Sequence, residues 1–279
     1  MSAPYYADEH VTLWHGDVGD LLMAEALPPV HLTVTSPPYA DLLTYGALST
    51  AVGQLGDMPF DEWANAMREI LGHLHDLTID GGRAAINVGD VCIARKKAGR
   101  HYTLPLGASL TMSAFDGGWD VLTPIRWEKI ANIKMEASSS SGVLGKPNQP
   151  GGVIKNDAES ILLLRKPGAY RKPTPEQIAA AHIPTDDYRR MFRGVWRDVP
   201  GTSSPDHPAP YPLEIASRLI RMFSFPGDTI LDPFAGTGTT LLAARRLGRK
   251  AVGVEVDESY CELIANRLSQ GVLDFGALA

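Results

Sequence analysis

The stretch with the clearest chemical potential is a short polar turn at residues 35–39, Thr-Ser-Pro-Pro-Tyr. It follows residues 30–34, whose alternating pattern is typical of a β-strand, and its two prolines end that strand because neither can donate a ladder hydrogen bond. The turn would present a Ser36 hydroxyl, backbone carbonyls and the Tyr39 ring at a strand's carboxyl end, where open α/β sheets bind ligands. These groups suit a flat, amine-bearing substrate. Taken alone, the stretch is equally consistent with a proline-terminated strand.

A second chemical stretch lies about two hundred residues later, at residues 232–240, Asp-Pro-Phe-Ala-Gly-Thr-Gly-Thr-Thr. A strand there ends in an acid, passes through a Gly-x-Gly turn and enters a helix, and glycines let the backbone approach a ligand closely. The dinucleotide fingerprint would need a third glycine, which is absent. Asp232 would repel a phosphate and could hold an ammonium group. The stretch therefore favours a cationic ligand that carries an amino acid.

Glu255 ends the next predicted strand, about 20 residues after Gly236, the spacing expected of an acid that binds ribose hydroxyls. A single Gly-x-Gly turn is a weak signal. The combination of strand, acid, Gly-x-Gly, helix, strand and second acid is much more specific for a nucleoside-bearing cofactor.

The elements that must position these residues alternate between strand and helix along the chain. Hydrophobic patterns predict strands at residues 11–15, 30–35, 83–88, 120–127, 159–164, 229–231 and 251–255. They predict helices at residues 19–26, from Asp61 as N-cap to 77, 104–115, from a capping box at Thr174 to 182, 212–223, 240–247 and 258–269. Such alternation predicts an α/β fold with a mostly parallel sheet.

Bulk properties exclude several classes of protein. The chain has 279 residues and 44% hydrophobic content, enough for one large α/β domain, and no apolar run approaches the ~20 residues that span a bilayer. Its start has no secretory signal pattern, so we expect a cytoplasmic protein with no membrane partner. Two isolated cysteines, Cys92 and Cys261, argue against a disulfide framework and against structural zinc, and no metal site is predicted.

The charge distribution is more informative than the net charge of −6. Residues 126–206 hold 13 Lys/Arg and 9 Asp/Glu, a balance of +4, whereas the rest of the chain has a balance of −10. A basic middle between acidic ends fits a region that faces phosphates on an otherwise acidic catalytic body. Ordinary surface charge remains the alternative. A smaller basic cluster at residues 95–101 is interpreted as a solvated loop.

Residues 35–39 and 232–240 together resemble motifs IV and I of the amino-methylating DNA methyltransferases that use S-adenosyl-L-methionine. The catalytic motif precedes the cofactor motif, as in the permuted β group with its Thr-Ser-Pro-Pro-Tyr type of turn. Weaker resemblances place motif III at residues 16–17, motif VI at 83–90, motif VIII at 124–129, motif X at 207–212 and motif II at 252–257. The resemblance implies a Rossmann-like, seven-stranded methyltransferase sheet with a target-recognition insert.

The resemblance also implies roles for individual residues. The catalytic residues would be Ser36, Pro37, Pro38 and Tyr39. The cofactor, S-adenosyl-L-methionine, would contact Asp17, Thr35, Asp232, Pro233, Phe234, Gly236, Gly238, Thr239 and Glu255. The substrate-binding residues would be Trp127, flanking a flipped base, and Arg189, Arg190 and Arg193.

The same resemblance implies a domain organisation and partners. Residues 1–129 and 207–279 would form the catalytic domain, and residues 130–206 the target-recognition region, with a long loop at 136–152 and base-reading candidates Asn132, Asn148 and Gln149. Phosphate contacts are the commoner role for arginines in such a region. Double-stranded DNA would be the substrate, and a homodimer and a cognate restriction endonuclease are compatible partners.

The identity of the methylated atom stays open at this point. Methylation of cytosine carbon-5 is disfavoured because it needs a cysteine nucleophile, and neither cysteine lies near the turn. Ser36, where adenine enzymes more often have aspartate, favours cytosine N4 over adenine N6. An RNA or small-molecule amine methyltransferase, or a non-catalytic DNA-binding protein on the same scaffold, are the remaining alternatives.

Overall fold

The fold is taken from a computed structural model that describes residues 3–23, 27–40, 55–129, 154, 156–201 and 211–270. Its strands are β1 (Tyr6–Ala7), β2 (Val11–His15), β3 (Val30–Thr35), β4 (Thr78–Val88), β5 (Val91–Ile93), β6 (Tyr102–Leu104), β7 (Asp120–Glu128), β8 (Ala158–Arg165), β9 (Val195–Trp196), β10 (Thr229–Asp232) and β11 (Lys250–Glu255). Its helices are α1 (Val18–Met23), α2 (Phe60–Leu77), α3 (Arg95–Ala98), α4 (Leu106–Asp116), α5 (Pro175–Ala180), α6 (Thr185–Met191), α7 (Leu213–Phe223), α8 (Thr239–Arg246) and α9 (Glu258–Gln270).

The described strands form one large sheet in the order β1-β2-β11-β10-β3-β4-β8-β7-β9, and β5 pairs with β6 in a separate hairpin. Strands β2, β11, β10, β3 and β4 are mutually parallel, whereas β8 is antiparallel to both β4 and β7. Seven longer strands are flanked by the two-residue strands β1 and β9. The predicted α/β fold with a seven-stranded methyltransferase-type sheet is therefore confirmed.

The parallel strands end together at one edge of the sheet, which we call the carboxyl edge and define by Thr35, Val88, Asp232, Glu255 and His15. The opposite side is the amino edge. Because β10 lies directly beside β3, the two chemical stretches of the sequence meet at the carboxyl edge. Ligands of open α/β sheets bind at such an edge.

Helices cover both faces of the sheet because its strands carry apolar side chains on both sides. Helices α1, α2 and α4 pack on one face, over residues such as Ile86 and Leu231. Helices α7, α8 and α9 pack on the other face, over residues such as Ala85 and Ile230. Adjacent residues of one strand thus enter different cores, as the two-residue period of a strand requires.

Some predicted element boundaries were wrong. Helix α2 begins at Phe60, and Pro59 is the N-cap in place of Asp61, because its ψ of 150° is not helical while its carbonyl accepts from the Trp63 amide at 2.9 Å. Leu104 ends β6 instead of opening a helix, since Pro105 separates it from α4. Strand β4 begins at Thr78 because Gly81, with φ of +70°, bends the strand without ending it.

Other local predictions were confirmed. Thr174 forms the predicted capping box with Gln177, with Pro175 at the first helical position of α5. The buried positions of α2 include the predicted Trp63, Met67, Ile70, Leu71 and Leu74. The cluster at residues 95–101 is exposed, as expected, but it forms α3 and the tip of a hairpin.

Strand β8 comes from within the predicted target-recognition region, residues 130–206, yet it lies between β4 and β7 in the main sheet. Part of that region therefore belongs to the body of the fold. The end of the first predicted helix (24–26), the predicted loop (136–152), Asn132, Asn148, Gln149 and residues 207–210 of motif X lie outside the described residues. None of the described helices is long and apolar enough to span a bilayer.

Candidate active site

The candidate catalytic turn continues directly from the carboxyl end of β3. Thr35 is the last strand residue and is buried, whereas Ser36 is half-buried. Within the described part of the chain, neither the Ser36 hydroxyl nor the Pro37 carbonyl has a hydrogen-bond partner. Two unused acceptors therefore stand side by side at the ligand-binding edge of the sheet.

Helix α2 packs against the turn and holds it in position. The Trp63 indole donates a hydrogen bond of 2.7 Å to the Pro38 carbonyl, and the Trp63 side chain is fully buried. Tyr39 is 6% exposed and belongs to the same apolar cluster as Trp63. This bond uses the Pro38 carbonyl and orients the turn, so Trp63 is a positioning residue that the hydrophobic pattern identified only as core.

Trp63→Phe is expected to lower kcat for methyl transfer roughly tenfold while leaving cofactor affinity unchanged, because packing is kept but one bond worth ~1 kcal/mol is lost. The matched control is Trp119→Phe. Trp119 is equally buried and donates a 3.1 Å bond to Leu71 of the same helix, away from the turn. Equal losses of kcat in both variants would contradict the positioning role, as read from single-turnover rates.

A buried hydrogen bond joins the catalytic turn to the second chemical stretch. The Thr35 hydroxyl donates to Asp232 Oδ1 over 2.6 Å, across 197 residues of sequence. The amide of Phe234 donates to the same oxygen over 3.2 Å, and Asp232 is only 1% exposed. Asp232 therefore fixes the ends of β3 and β10 relative to each other, and the predicted contact with a cofactor ammonium stays a prediction.

The loop after Asp232 has the backbone shape that its glycines allow. Gly236 and Gly238 have φ of +52° and +78°, in the left-handed region that favours glycine. A side chain on Gly238 would also approach Ile264 to 3.0 Å. Arg267 donates to the Thr237 carbonyl, so helix α9 holds the loop in place before α8 begins at Thr239.

Glu255 closes this loop from the neighbouring strand. Its two oxygens accept from the amides of Gly236, at 2.7 Å, and Asp257, at 3.0 Å. A carboxylate offers about four acceptor positions, so Glu255 can still accept from a ligand's hydroxyls. Asp17 lies at the next strand end, where Gly16 donates to the Glu255 carbonyl over 3.0 Å, and the exposed Asp17 carboxylate accepts from Gly19. The predicted cofactor acids thus lie on adjacent strand ends.

Both buried carboxyls have raised pKa values. Burial raises the pKa of Asp232 to about 7, against the opposing effect of hydrogen bonds from Thr240, Thr35 and Phe234. Burial also raises the pKa of Glu255 to about 7, and the nearby negative charges of Asp257 and Asp232 add to that rise. A ligand that donates hydrogen bonds or carries positive charge here would favour the ionised forms.

Cofactor-free protein is expected to lose stability as the pH rises through about 7. The reason is that the pKa values of these two carboxyls are about 7 in the folded protein and about 4 in the unfolded chain, so the folded state binds protons more tightly. Their contribution is complete below pH ~4 and disappears above the folded pKa. Urea unfolding between pH 5 and 8.5 measures it. The double variant Asp232→Asn/Glu255→Gln should show a flatter profile; an equally steep one would contradict the assignment.

The structure does not place Trp127 where a base could stack on it. Its side chain is 1% exposed, and its indole donates a 2.8 Å bond to the Val199 carbonyl. Alternation along β7 directs Trp127 into the same core as Ile125 and Trp196. An aromatic residue in a strand near the site can belong either to the pocket wall or to the core. Contact between Trp127 and a flipped base would require the side chain to leave this core, and that role stays a prediction.

The three predicted DNA-binding arginines lie together on one open cleft of about 430 Å³ beside β9. Arg189 pairs with Asp186 at 3.6 Å, and Arg190 pairs with Asp187 at 2.9 Å. Arg193 donates to the Arg189 carbonyl over 3.1 Å. None of their described contacts involves the Ser36 turn. The three arginines therefore lie near one another but are not in contact with the catalytic residues among the described residues.

A polar cluster that the sequence analysis missed lies at the carboxyl edge beside the turn. Asn87 of β4 donates to Glu159 of β8 over 2.6 Å, and Glu159 forms an ion pair with Lys129. Asn87 and Glu159 are buried, and the Asn87 side-chain oxygen has no partner among the described residues. Nothing in the local sequence distinguishes these residues, because the cluster forms only when β4, β8 and the end of β7 become neighbours.

Comparison of this chain with known proteins identifies a family whose chemistry agrees with the geometry of the site. Residues 30–267 match the N6/N4 DNA methylase family. The chain is 33% identical over 262 residues to the Type II methyltransferase M.MthZI of Methanothermobacter thermautotrophicus, covering 86% of this chain and 72% of that one. It is 32% identical over 267 residues to M.MjaI of Methanocaldococcus jannaschii, covering 86% and 85%.

Solved structures agree with the fold. TTHA0409 of Thermus thermophilus, assigned to the DNA modification methylases and complexed with S-adenosyl-L-methionine, has a TM-score of 0.76 and 41% identity, with 94% of each chain covered. The PvuII DNA methyltransferase (cytosine-N4-specific) has a TM-score of 0.69 at 19% identity, covering 95% of this chain and 89% of that one, which supports the fold alone.

The residues of this chain fit S-adenosyl-L-methionine. The Gly-x-Gly loop provides a backbone of the shape that close ligand approach needs. The buried carboxyl of Glu255 and the exposed carboxyl of Asp17 lie at the ends of adjacent strands. Both can accept hydrogen bonds from hydroxyl and amino groups of a ligand. The cofactor of the family is S-adenosyl-L-methionine.

Proposed function

Because the chain belongs to the N6/N4 DNA methylase family, we propose that it methylates the exocyclic N4 amine of cytosine in duplex DNA. The observation that carries this proposal is a pair of acceptors, Ser36 Oγ and the Pro37 carbonyl, that have no hydrogen-bond partner among the described residues. They lie on a turn that Thr35 joins to Asp232 of the cofactor loop. The choice of cytosine over adenine depends on serine at the first position of the turn.

The exocyclic amine needs activation because its lone pair is delocalised into the ring. Ser36 Oγ and the Pro37 carbonyl accept hydrogen bonds from its two N–H groups. This draws the nitrogen towards a tetrahedral geometry and aims its lone pair away from the turn. The work is positioning and electrostatic stabilisation, without a covalent enzyme intermediate.

S-adenosyl-L-methionine, when bound, supplies an electrophilic methyl group next to this nitrogen. Glu255 would accept hydrogen bonds from its ribose hydroxyls, and Asp17 would bind on the adenine side. The loop from Asp232 through Pro233, Phe234, Gly236 and Gly238 to Thr239 would hold its amino-acid end. Thr35 and Asp232 keep this loop in register with Ser36.

The target base must leave the duplex to reach the turn, so an aromatic face is needed for it to stack upon. Tyr39 is the candidate, as the aromatic residue next to the two acceptors. It is only 6% exposed, so entry of the base requires Tyr39 to become accessible. Contact of the base with Trp127 would require a further rearrangement, because that side chain is 1% exposed.

Target recognition is proposed for residues 130–206 without β8, which belongs to the sheet. In this region Arg189, Arg190 and Arg193 would contact phosphates after exchanging their present partners. A homodimer and a cognate restriction endonuclease stay predictions.

The test is to modify duplex DNA with purified protein and S-adenosyl-L-methionine and to sequence the product at single-base resolution. N4-methylcytosine in a fixed context is the expected result. N6-methyladenine in a fixed context would favour the adenine alternative, and transfer of methyl groups only to RNA would contradict DNA as the substrate.

A further inference from the structure

We propose that the hairpin β5–α3–β6, residues 91–104, is a second DNA-contacting element that binds backbone phosphates beside the catalytic turn. The proposal rests on duplex DNA being the substrate and does not depend on which base is methylated. The hairpin lies outside residues 130–206, the region proposed for target recognition. It would therefore bind the duplex whatever the DNA sequence.

The hairpin leaves the sheet at the edge where the turn lies. It follows β4 after Val88, and β4 runs parallel to β3 with Ile86 opposite Thr35. The inward side chains Val91 and Ile93 are 1% and 3% exposed and belong to the same apolar cluster as Tyr39. The tip of the hairpin is thus carried by the core that also supports the catalytic turn.

The hairpin is anchored at its base and closed at its tip. The Asp90 carboxylate accepts from the Gly107 amide at 3.0 Å, and the Asp90 carbonyl accepts from Asn156 at 2.5 Å. At the tip, Gly99 adopts φ of +72° and donates to the Arg95 carbonyl over 2.7 Å, which ends α3. Because the backbone of the tip is already closed, little backbone freedom is lost when a partner binds.

Every side chain between positions 94 and 101 is exposed, and these residues carry four Lys/Arg with no Asp/Glu. Residues 91–105 contain no acidic residue at all, in a chain of net charge −6. Among the described residues, Arg95, Lys96 and Arg100 have no carboxylate partner, and Arg100 lies 5.0 Å from the centre of the Tyr102 ring. Within the described part of the chain, the charges of these three residues are therefore not neutralised by carboxylates.

Three arginines beside β9 differ from the hairpin cations because they already have carboxylate partners. Arg189, Arg190 and Arg197 each pair with a carboxylate of the protein, at 3.6, 2.9 and 3.0 Å. Cations already paired with carboxylates gain less from a phosphate, because the ion pair must first be exchanged. Among the described residues, Arg95, Lys96 and Arg100 are therefore better placed than these paired arginines to bind phosphates and release counterions from DNA.

The test compares two triple variants of the full chain that remove the same charge. The hairpin variant is Arg95→Gln/Lys96→Gln/Arg100→Gln. The control is Arg68→Gln/Arg246→Gln/Lys250→Gln, whose residues are also exposed and lie outside residues 130–206; Arg68 lies within α2, Arg246 ends α8, and Lys250 begins β11 at the amino edge. Binding to a 30-base-pair duplex is measured from 50 to 300 mM salt, and S-adenosyl-L-methionine affinity is measured in parallel to show that each variant is folded.

The hairpin variant is expected to flatten the plot of log affinity against log salt by about 2.7, since each lost phosphate contact removes ~0.9 from the slope. Its affinity for duplex should fall at least tenfold at ~0.1 M salt, with cofactor affinity unchanged. The control should keep the slope of the original chain. Equal slopes in the original chain and the hairpin variant would overturn the proposal, as would equal flattening by the control.

The outcome also separates this proposal from the proposed function. If the unmodified chain binds and methylates DNA while the hairpin variant keeps its slope, only the hairpin proposal fails. If the unmodified chain neither binds nor methylates duplex DNA, the assignment of DNA as substrate fails, and the hairpin proposal fails with it. Methylation of adenine in place of cytosine leaves the hairpin result unaffected.

Discussion

Ser36→Ala is expected to lower kcat for methyl transfer by about 10²-fold or more. Removing one positioned polar group from a centre where charge develops typically costs 10²–10³ in kcat. The Ser36 hydroxyl has no hydrogen-bond partner in the described part of the chain, so its removal should cost little stability. Cofactor affinity should stay unchanged, because the cofactor loop is fixed by Asp232 and Glu255 instead.

The measurement is single-turnover transfer of labelled methyl groups to duplex DNA, with cofactor affinity determined by calorimetry. Ser269→Ala is the matched control, since Ser269 is exposed near the end of α9 and only donates to the Ala265 carbonyl. If the turnover rate of Ser36→Ala were within twofold of that of the original chain, the turn would not be part of the active site. An equal loss of cofactor affinity would show that Ser36 acts through the loop.

Asp232→Ala is expected to destabilise the protein by about 3 kcal/mol and to weaken cofactor binding at least tenfold. The substitution leaves the Thr35 hydroxyl and the Phe234 amide without their acceptor inside the protein, and each such buried group costs ~1–3 kcal/mol. It also releases the loop that carries Gly236 and Gly238 from the end of β3. Urea unfolding at pH 6 and calorimetric titration with S-adenosyl-L-methionine measure the two effects.

Asp232→Asn separates the hydrogen bonds from the charge. It keeps an oxygen that can accept from Thr35 and Phe234, so it should retain most of the stability that Asp232→Ala loses. Above pH 7 it also removes the cost of a buried charge, because burial raises the pKa of Asp232 to about 7. At pH 8 the cofactor-free Asn variant should be at least as stable as the original chain. An Asn variant as unstable as the Ala variant would contradict this account of Asp232.

The sequence predicted the meeting of the two chemical stretches for a physical reason. Parallel strands end at a common edge, so a turn after one strand and an acid at the end of another lie together once both strands are assigned. Thr35 and Asp232 show this directly. The capping box at Thr174 was also predictable, because its hydrogen bonds are local to a few residues.

Other features depend on contacts that a one-dimensional pattern does not contain. The period of α2 identifies Trp63 as buried, but only the packing of α2 under the turn brings its indole to the Pro38 carbonyl. Trp127 shows the converse, since its position in β7 could serve a pocket or a core. The Asn87–Glu159 bond requires β8 to lie beside β4, whereas the basic composition of residues 126–206 suggested a separate region.

The interpretation of residues 95–101 changed most. Their composition alone fits a solvated loop, and their exposure agrees with that interpretation. What the sequence could not provide is their place on a closed hairpin that leaves β4 at the carboxyl edge, with Val91 and Ile93 anchored in the core. Their position, and the lack of carboxylate partners for Arg95, Lys96 and Arg100 among the described residues, make this hairpin a candidate phosphate-binding surface.

The central claim is that a turn at the end of β3 presents a DNA amine to a methyl donor held by the loop after β10. The most direct test is to incubate duplex DNA with the protein and methyl-labelled S-adenosyl-L-methionine, digest the DNA to nucleosides, and locate the label by mass spectrometry. Label is expected on an exocyclic amino nitrogen, as N4-methylcytosine, and should be nearly absent with Ser36→Ala. Label on cytosine carbon-5, or undiminished labelling by the Ser36→Ala variant, would contradict it.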